Sequence, residues 1–295
     1  MIKDFNLAWV ILLLVFSARG ETKDIWSLQP VKRPEVPNPD ASLTEIRNPI
    51  DAFVQRKLLS KNLKPSPKAD RFTLLRRLSL DLTGLPPSPG RMEAFVNDPR
   101  STNSAYRELV DELLNSPRFG ERWAQHWLDI IRWAETAGFE TNVERTDAWY
   151  YRDWVIKALN DDMPYDRFIL HQIAGDVTGE DAALGFLVSG PANLPGQIGR
   201  DEEAMRSARQ DELDEVIRTV SQSFLGLTIG CARCHDHKFD PILQNDYYGM
   251  QAIFAGLRYG KRRLQGEEND EWTTRVPKAQ QEYDDLLRQL EAMRK

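Results

Sequence analysis

The residues best suited to chemistry are the only two cysteines of the 295-residue chain and the histidine that follows them. Cys231 and Cys234 are separated by two residues, and His235 comes directly after the second cysteine. Two thiols at this spacing can each add to a vinyl group of one porphyrin, while the adjacent imidazole reaches the iron. The C-x-x-C-H pattern therefore predicts covalent attachment of a c-type haem through Cys231 and Cys234, with His235 as the proximal ligand of the haem iron.

Two other interpretations of the same cysteines stay open. A lone cysteine pair in an exported chain also fits a Cys231–Cys234 disulfide, either structural or redox-active, which leaves the position of His235 unexplained. His237 follows closely, so two cysteines and two histidines form a zinc-compatible set, although four ligands in so short a segment are crowded for a tetrahedron. Haem is the cofactor that the pattern favours, and zinc or no cofactor are the alternatives.

The second axial position of a bound haem has three candidates, Met250, His126 and His171. Met250 lies on the apolar face of an expected helix, where core packing is the usual role of methionine. His126 has Trp123 and Ile130 at helical offsets, and we expect both histidines to be hydrogen-bonded core residues. A closed second position would suit electron transfer, whereas an open one would suit small-ligand binding or catalysis. The sequence leaves open whether the protein is an enzyme.

Residues 1–20 have the layout of a secretory signal peptide. Lys3 precedes an apolar run over residues 7–16, and Ala18-Arg19-Gly20 provides small residues for cleavage after Gly20. The run is short for a bilayer span, and an uncleaved anchor is the competing interpretation. Because c-type haem is attached outside the cytoplasm, the two signals support each other. We predict a periplasmic or otherwise extracytoplasmic protein with no stable membrane span after cleavage.

Proline and capping residues divide the rest of the chain. Residues 21–47 are rich in proline and charge, which predicts an extended lead-in. A helical domain is expected over residues 48–260, where Asn48-Pro49, Asp70, Ser88-Pro89 and Ser116-Pro117 mark helix starts. Residues 261–295 are expected to form a linker and the start of a helical tail that is cut short, because the tail has no stop signal.

Strand-type alternation is nearly absent, so we predict a mostly α, multi-helix globular domain. A longer helix from about Ala208 runs toward Gly230, and Asn245 is expected to cap the next helix. The C-x-x-C-H motif is therefore expected in a turn between two helices. The net charge is −6, with acidic and basic residues interleaved, which argues against nucleic acid as a partner.

Three segments resemble a known family. They are residues 122–129, 162–168 and 225–242, the last of which contains the C-x-x-C-H motif. These segments are similar to the second planctomycete cytochrome-c-like domain, which occurs in large secreted proteins and is formally of unknown function. The similarity covers residues 48–259 and identifies this part as a cytochrome-c-like domain. It implies an extracytoplasmic helical module, often found between another cytochrome-type domain and a further conserved domain, and an association with polysaccharide breakdown.

The chain departs from the family pattern in two respects. No cytochrome domain precedes the similar region, and the chain ends where the downstream domain would begin, which predicts a truncated product. The loop at 189–199 also lacks the histidine that many members carry after the Gly-Phe pair, here Gly185-Phe186. We therefore expect no second haem ligand from that loop.

The sequence as a whole predicts an exported c-type haem-binding module. It would serve electron transfer or a redox step in extracytoplasmic metabolism, for instance of polysaccharides, and its partner would be a redox protein or an adjacent cytochrome domain. The alternative is a non-redox interaction or carbohydrate-associated module, in which Cys231 and Cys234 form a disulfide or bind a metal.

Overall fold

The computed structural model describes most of the chain. Apart from a few single positions, the described residues are 29–38, 48–138, 142–191, 201–259 and 280–289. The predicted signal peptide lies outside them, as do most of the predicted linker and the loop residues 192–199. Among the described residues, no helix is long and apolar enough to cross a membrane.

The chain divides into two compact units, Met1–Ala69 and Asp70–Lys295. In the first unit, helix α1 spans Pro49–Leu59. The Asn48 side chain accepts a hydrogen bond from the Asp51 amide at 3.1 Å, and the Asp51 carboxylate accepts one from the Asn48 amide at 3.3 Å. This reciprocal cap satisfies amides that the helix leaves unpaired, and it confirms the predicted start at Asn48-Pro49.

The second unit begins with three helices that enclose a small core. Helix α2 spans Arg71–Thr83, α3 spans Pro89–Val96 and α4 spans Thr102–Leu114. The core between them consists of Leu75, Phe95, Ala105 and Leu109. The predicted caps Asp70 and Ser88 are confirmed, because each side chain accepts a hydrogen bond from a backbone amide of the first turn. Helix α2 ends at Gly84, which has a left-handed φ of 69° that glycine adopts readily.

A larger core lies among the remaining helices. These are α5 (Pro117–Ile130), α6 (Trp149–Asn160), α7 (Tyr165–Thr178), α8 (Gly185–Val188), α9 (Glu202–Val220) and α10 (Gln244–Phe254). The ring of Trp127 lies 5.0 Å from that of Phe168 and 5.7 Å from that of Phe224. Its indole N–H donates to Tyr151 Oη at 2.9 Å and to Gln172 Oε1 at 3.0 Å. Burial raises the pKa of Tyr151, so the phenol stays protonated and donates to Gln172.

The predicted mostly α-helical fold is confirmed over the part of the chain that the structure describes. There, the β-type pairing is limited to one isolated bridge between Thr136 and Glu144. The predicted start of α9 near Ala208 is wrong, because the Asp201 side chain accepts a hydrogen bond from the Ala204 amide and the helix begins at Glu202. The first turns of α9 are mostly polar, so the spacing of apolar residues does not indicate where this helix begins.

The end of α9 and the start of α10 also differ from expectation. Helix α9 continues into a π-helical segment, Ser221–Leu225, which ends at Gly226 with a φ of 65°. Helix α10 begins at Gln244, so the predicted cap at Asn245 is wrong. The Gln244 amide is instead satisfied by the Asp236 carboxylate at 2.9 Å. The residues between these two helices contain the cysteines.

Candidate functional site

Cys231 lies on a short 3₁₀ turn, and Cys234 lies at its end. The turn spans Ile229–Arg233, and Cys234 follows it directly. In a 3₁₀ helix, side chains three residues apart eclipse each other, so a turn of this kind favours a common side for Cys231 and for Cys234, the residue that ends it. Both thiols are free and exposed, whereas Ile229, Gly230 and Ala232 are buried. The turn therefore places its apolar residues in the protein and presents two thiols to solvent.

His235 is exposed, and a hydrogen bond fixes its tautomer. Its Nδ1 lies 2.8 Å from the carbonyl oxygen of Asp236. A carbonyl oxygen only accepts, so Nδ1 carries the proton and donates. Nε2 is then the basic nitrogen with a free lone pair, which is the usual arrangement of a metal-ligating histidine. The donor set of two exposed thiols and this imidazole fits covalent attachment of haem with iron ligation by Nε2.

His237 has a different environment from His235. Its Nδ1 accepts hydrogen bonds from the amides of Asp240 at 2.8 Å and Phe239 at 3.2 Å. The proton is therefore on Nε2, which donates to Thr228 Oγ1 at 3.0 Å. The side chain is only 7% exposed. Both ring nitrogens thus hold the loop closed and are not free to bind zinc, and no group of three or more potential metal ligands occurs among the described residues.

Replacing His237 with alanine is expected to destabilise the protein by roughly 1–3 kcal/mol, because the loop amides and the Thr228 hydroxyl lose their partner. Thermal unfolding followed by circular dichroism would measure the loss. His126→Ala is the matched control, since His126 is exposed on α5 and its replacement should change stability by less than about 0.5 kcal/mol. Equal unfolding midpoints for the two variants would contradict the structural role of His237.

The cysteine turn is attached to both neighbouring helices. A guanidinium N–H of Arg218 on α9 donates to the Gly230 carbonyl at 3.2 Å. On α10, the Gln244 side chain and the Tyr248 hydroxyl donate to the Arg233 carbonyl at 3.1 and 3.2 Å. Backbone carbonyls on both sides of Cys231 are therefore held by side chains from α9 and α10.

A buried carboxylate lies beneath this turn. Asp214 is 6% exposed and accepts hydrogen bonds from Tyr247 Oη at 2.7 Å and from Arg218 Nε at 2.5 Å. Arg233 approaches the same carboxylate at 3.5 Å and bonds to Asp211 at 2.9 Å. The hydrogen bond to Asp214 raises the pKa of Arg218, and burial together with its bond to Asp214 raises the pKa of Tyr247. Both groups therefore stay protonated as donors.

A family model covers most of the helical region of the chain. The model is PSCyt2, described as "Protein of unknown function (DUF1549)", and it matches residues 49–259. The chain belongs to the PSCyt2 family. The match extends from α1 through α10 and includes the cysteine turn, so the resemblance seen in the sequence is confirmed. No curated protein and no solved structure matches the chain.

The three candidate second ligands lie in different parts of this PSCyt2 domain. Met250 is on α10, which packs against the cysteine turn, but its side chain packs on the larger core. His126 is exposed beside the ring of Trp123, so the expectation of a core position for it is wrong. His171 is half-buried on α7, with Nδ1 2.9 Å from Thr178 Oγ1. Neither histidine lies on α9, α10 or the π-helical segment, the elements that pack most closely on the turn.

Exposed apolar side chains flank the cysteine turn along the PSCyt2 chain. Leu225 precedes it, and Phe239 and Leu243 follow it. Phe239 is 77% exposed, and the Lys238 ammonium lies 5.2 Å from its ring centroid. Three large apolar side chains are therefore exposed within about ten residues of the motif along the chain.

Sequence reasoning missed the residues that support the turn. Asp214 and Arg218 are four residues apart on α9, which is a recognisable spacing for an ion pair on one helix face. Their link to Tyr247 is made across 33 residues and gives no such signal. The cysteine motif can therefore be recognised in the sequence, whereas the network that supports it cannot.

Proposed function

We propose that this PSCyt2 domain is a c-type haem-binding module that performs electron transfer or another redox step outside the cytoplasm. The observation that carries the proposal is the geometry of the motif. Two free, exposed thiols lie three residues apart, on a short 3₁₀ turn and at its end, and the next residue is a histidine whose Nδ1 donates to a carbonyl and leaves Nε2 for a metal. Cys231 and Cys234 would hold the porphyrin by thioether bonds, and His235 would ligate the iron. When bound, haem would supply reversible one-electron chemistry.

The protein contributes position and environment to this function. The Asp236 carbonyl orients the His235 ring, because it accepts the Nδ1 proton and leaves Nε2 for the metal. His237 closes the loop that follows the motif, through its bonds to Thr228 and to the Asp240 amide. Leu225, Phe239 and Leu243 would provide apolar contacts for a porphyrin, which would otherwise be fully exposed to water.

The export prediction and the attachment chemistry support each other in this proposal. The N-terminal segment has the charge and apolar pattern of a signal peptide, and c-type attachment takes place in exported proteins. We propose a redox protein or an adjacent cytochrome domain as the partner. We also propose an association with polysaccharide metabolism, which rests on the family resemblance alone.

A pyridine haemochrome spectrum of the purified protein is the direct test. The protein would be expressed with its leader in a host that has a c-type cytochrome maturation system, and then unfolded before the measurement. We expect one haem per chain that stays with the polypeptide after unfolding, because thioether bonds are covalent, and an intact mass increased by one haem. A protein without haem, whose mass shows an intact Cys231–Cys234 disulfide, would contradict the proposal and favour a non-redox module.

A further inference from the structure

We propose that Asp214 is a positioning residue for the cysteine pair, and that it sets both thiols on one side of the turn before any haem binds. The inference rests on the proposed function, since it assumes that the pair acts as one attachment site. The proposed positioning is already present in the protein without haem. It can therefore be tested on the apoprotein.

The Asp214 side chain is buried and fully hydrogen-bonded, so its position is well defined. Both carboxylate oxygens are occupied, Oδ1 by the Tyr247 hydroxyl and Oδ2 by Arg218 Nε, while Arg233 lies within ion-pair distance of Oδ2. A buried charge is costly unless it is paired and hydrogen-bonded, and a fully satisfied network of this kind holds one geometry. Asp214 thus fixes side chains from α9, from α10 and from the turn itself.

Two contacts link the Asp214 network to the residues that precede the two cysteines. Arg218 donates to the carbonyl of Gly230, the residue that precedes Cys231. Arg233, which precedes Cys234, is drawn toward α9 by Asp214 and Asp211. Each cysteine is therefore adjacent in the chain to a residue that the Asp214 network holds.

Gly230 makes the first of these connections tight. A Cβ at this position would lie 2.6 Å from Arg218 Cζ and 2.7 Å from Arg218 Cγ, so the backbone of the turn lies directly against the arginine. The turn is therefore packed against Arg218 as well as hydrogen-bonded to it. Without the charge of Asp214, Arg218 keeps its bond to Gly230 but loses its ion pair, and we expect the turn to become less well ordered and the two thiols to lose their common orientation.

The test compares the reduced apoproteins of the wild type and Asp214→Asn. The probe is phenylarsine oxide, a trivalent arsenical that binds two thiols at once and so reports whether the pair is pre-oriented. We expect about tenfold weaker binding by Asp214→Asn, because the second thiol must then be ordered on binding. Glu203→Gln is the matched control, since it also removes one negative charge from α9, at an exposed position outside the Asp214 network, and should change binding less than about twofold.

A second reagent separates orientation from exposure. Iodoacetamide reacts with one thiol at a time, and its rate at each cysteine should agree within about twofold between wild type and Asp214→Asn, since both thiols are already exposed. A loss of arsenical binding with unchanged alkylation supports positioning. Equal arsenical binding by wild type and Asp214→Asn would overturn it, as would a parallel change in both reagents.

Arg218→Lys provides an independent variant if Asp214→Asn unfolds by circular dichroism. It keeps the positive charge but loses the forked donor that reaches both Asp214 and Gly230. We expect the same direction of change in arsenical binding, and wild-type affinity would overturn the inference. These outcomes are distinct from those for haem, because a wild-type protein without covalent haem contradicts the proposed function and leaves the arsenical comparison unaffected.

Discussion

Haem attachment is expected to be abolished when Cys231 and Cys234 are both replaced by alanine. The thioether bonds need these two thiols, and the chain contains no other cysteine that could replace them. Each single variant should keep one bond and yield less covalently bound haem than the wild type. Haem staining after denaturing electrophoresis, together with the intact mass, measures the bound fraction. Full retention of haem by the double variant through denaturation would contradict covalent attachment at this turn.

His235→Ala is expected to behave differently from the cysteine variants. It leaves both thiols in place, so some covalent haem should remain, but it removes the imidazole that we assign to the iron. The absorption spectrum and the reduction potential of the bound haem should therefore change. Gln125→Ala is the matched control, because Gln125 lies exposed on α5, is not a candidate ligand and should leave both properties unchanged. If the cysteines only formed a disulfide, His235→Ala would have almost no effect on the properties of the protein.

Helix starts could be predicted from the sequence because most capping bonds are local. Asp70 and Ser88 accept hydrogen bonds from amides three residues ahead, so the whole interaction lies within consecutive residues. The start of α10 follows a different rule. Its Gln244 amide bonds to Asp236, which lies eight residues earlier, across the loop that His237 closes. Asn245 has the right residue type for a cap but lies inside the helix.

The proposed attachment residues form a local sequence pattern, because covalent attachment of one haem would require two thiols and an imidazole that are close in sequence. One porphyrin would have to reach both thiols and the imidazole, and Cys231, Cys234 and His235 lie in one pentapeptide. The support beneath them has no such requirement. Asp214 meets Tyr247 only because α9 and α10 pack together, and a pattern of residue types contains no information about that contact.

The packing role of a glycine inside a helix cannot be predicted from the sequence either. Two such glycines are expected to change the stability of the protein in opposite directions when they are replaced with alanine. Gly120 on α5 and Gly249 on α10 look alike in sequence, since each weakens a helix relative to alanine. The structure separates them. A Cβ at Gly120 would lie 2.5 Å from the Ile156 carbonyl oxygen and 2.6 Å from Asn160 Cγ, whereas a Cβ at Gly249 would have no atom within 4 Å. Only Gly120 is needed for helix packing.

Gly120→Ala is therefore expected to destabilise the protein by about 2–4 kcal/mol, because α5 must move away from α6 and the Gly120 amide loses its 2.8 Å bond to Asn160 Oδ1. The thermal midpoint, followed by circular dichroism at the helix band, should fall by about 5–15 °C. Gly249→Ala makes the same chemical change at an open helical position and should stabilise the protein by about 0.5–1 kcal/mol. If both variants shifted the midpoint in the same direction, the close approach of α5 to α6 at Gly120 would be contradicted.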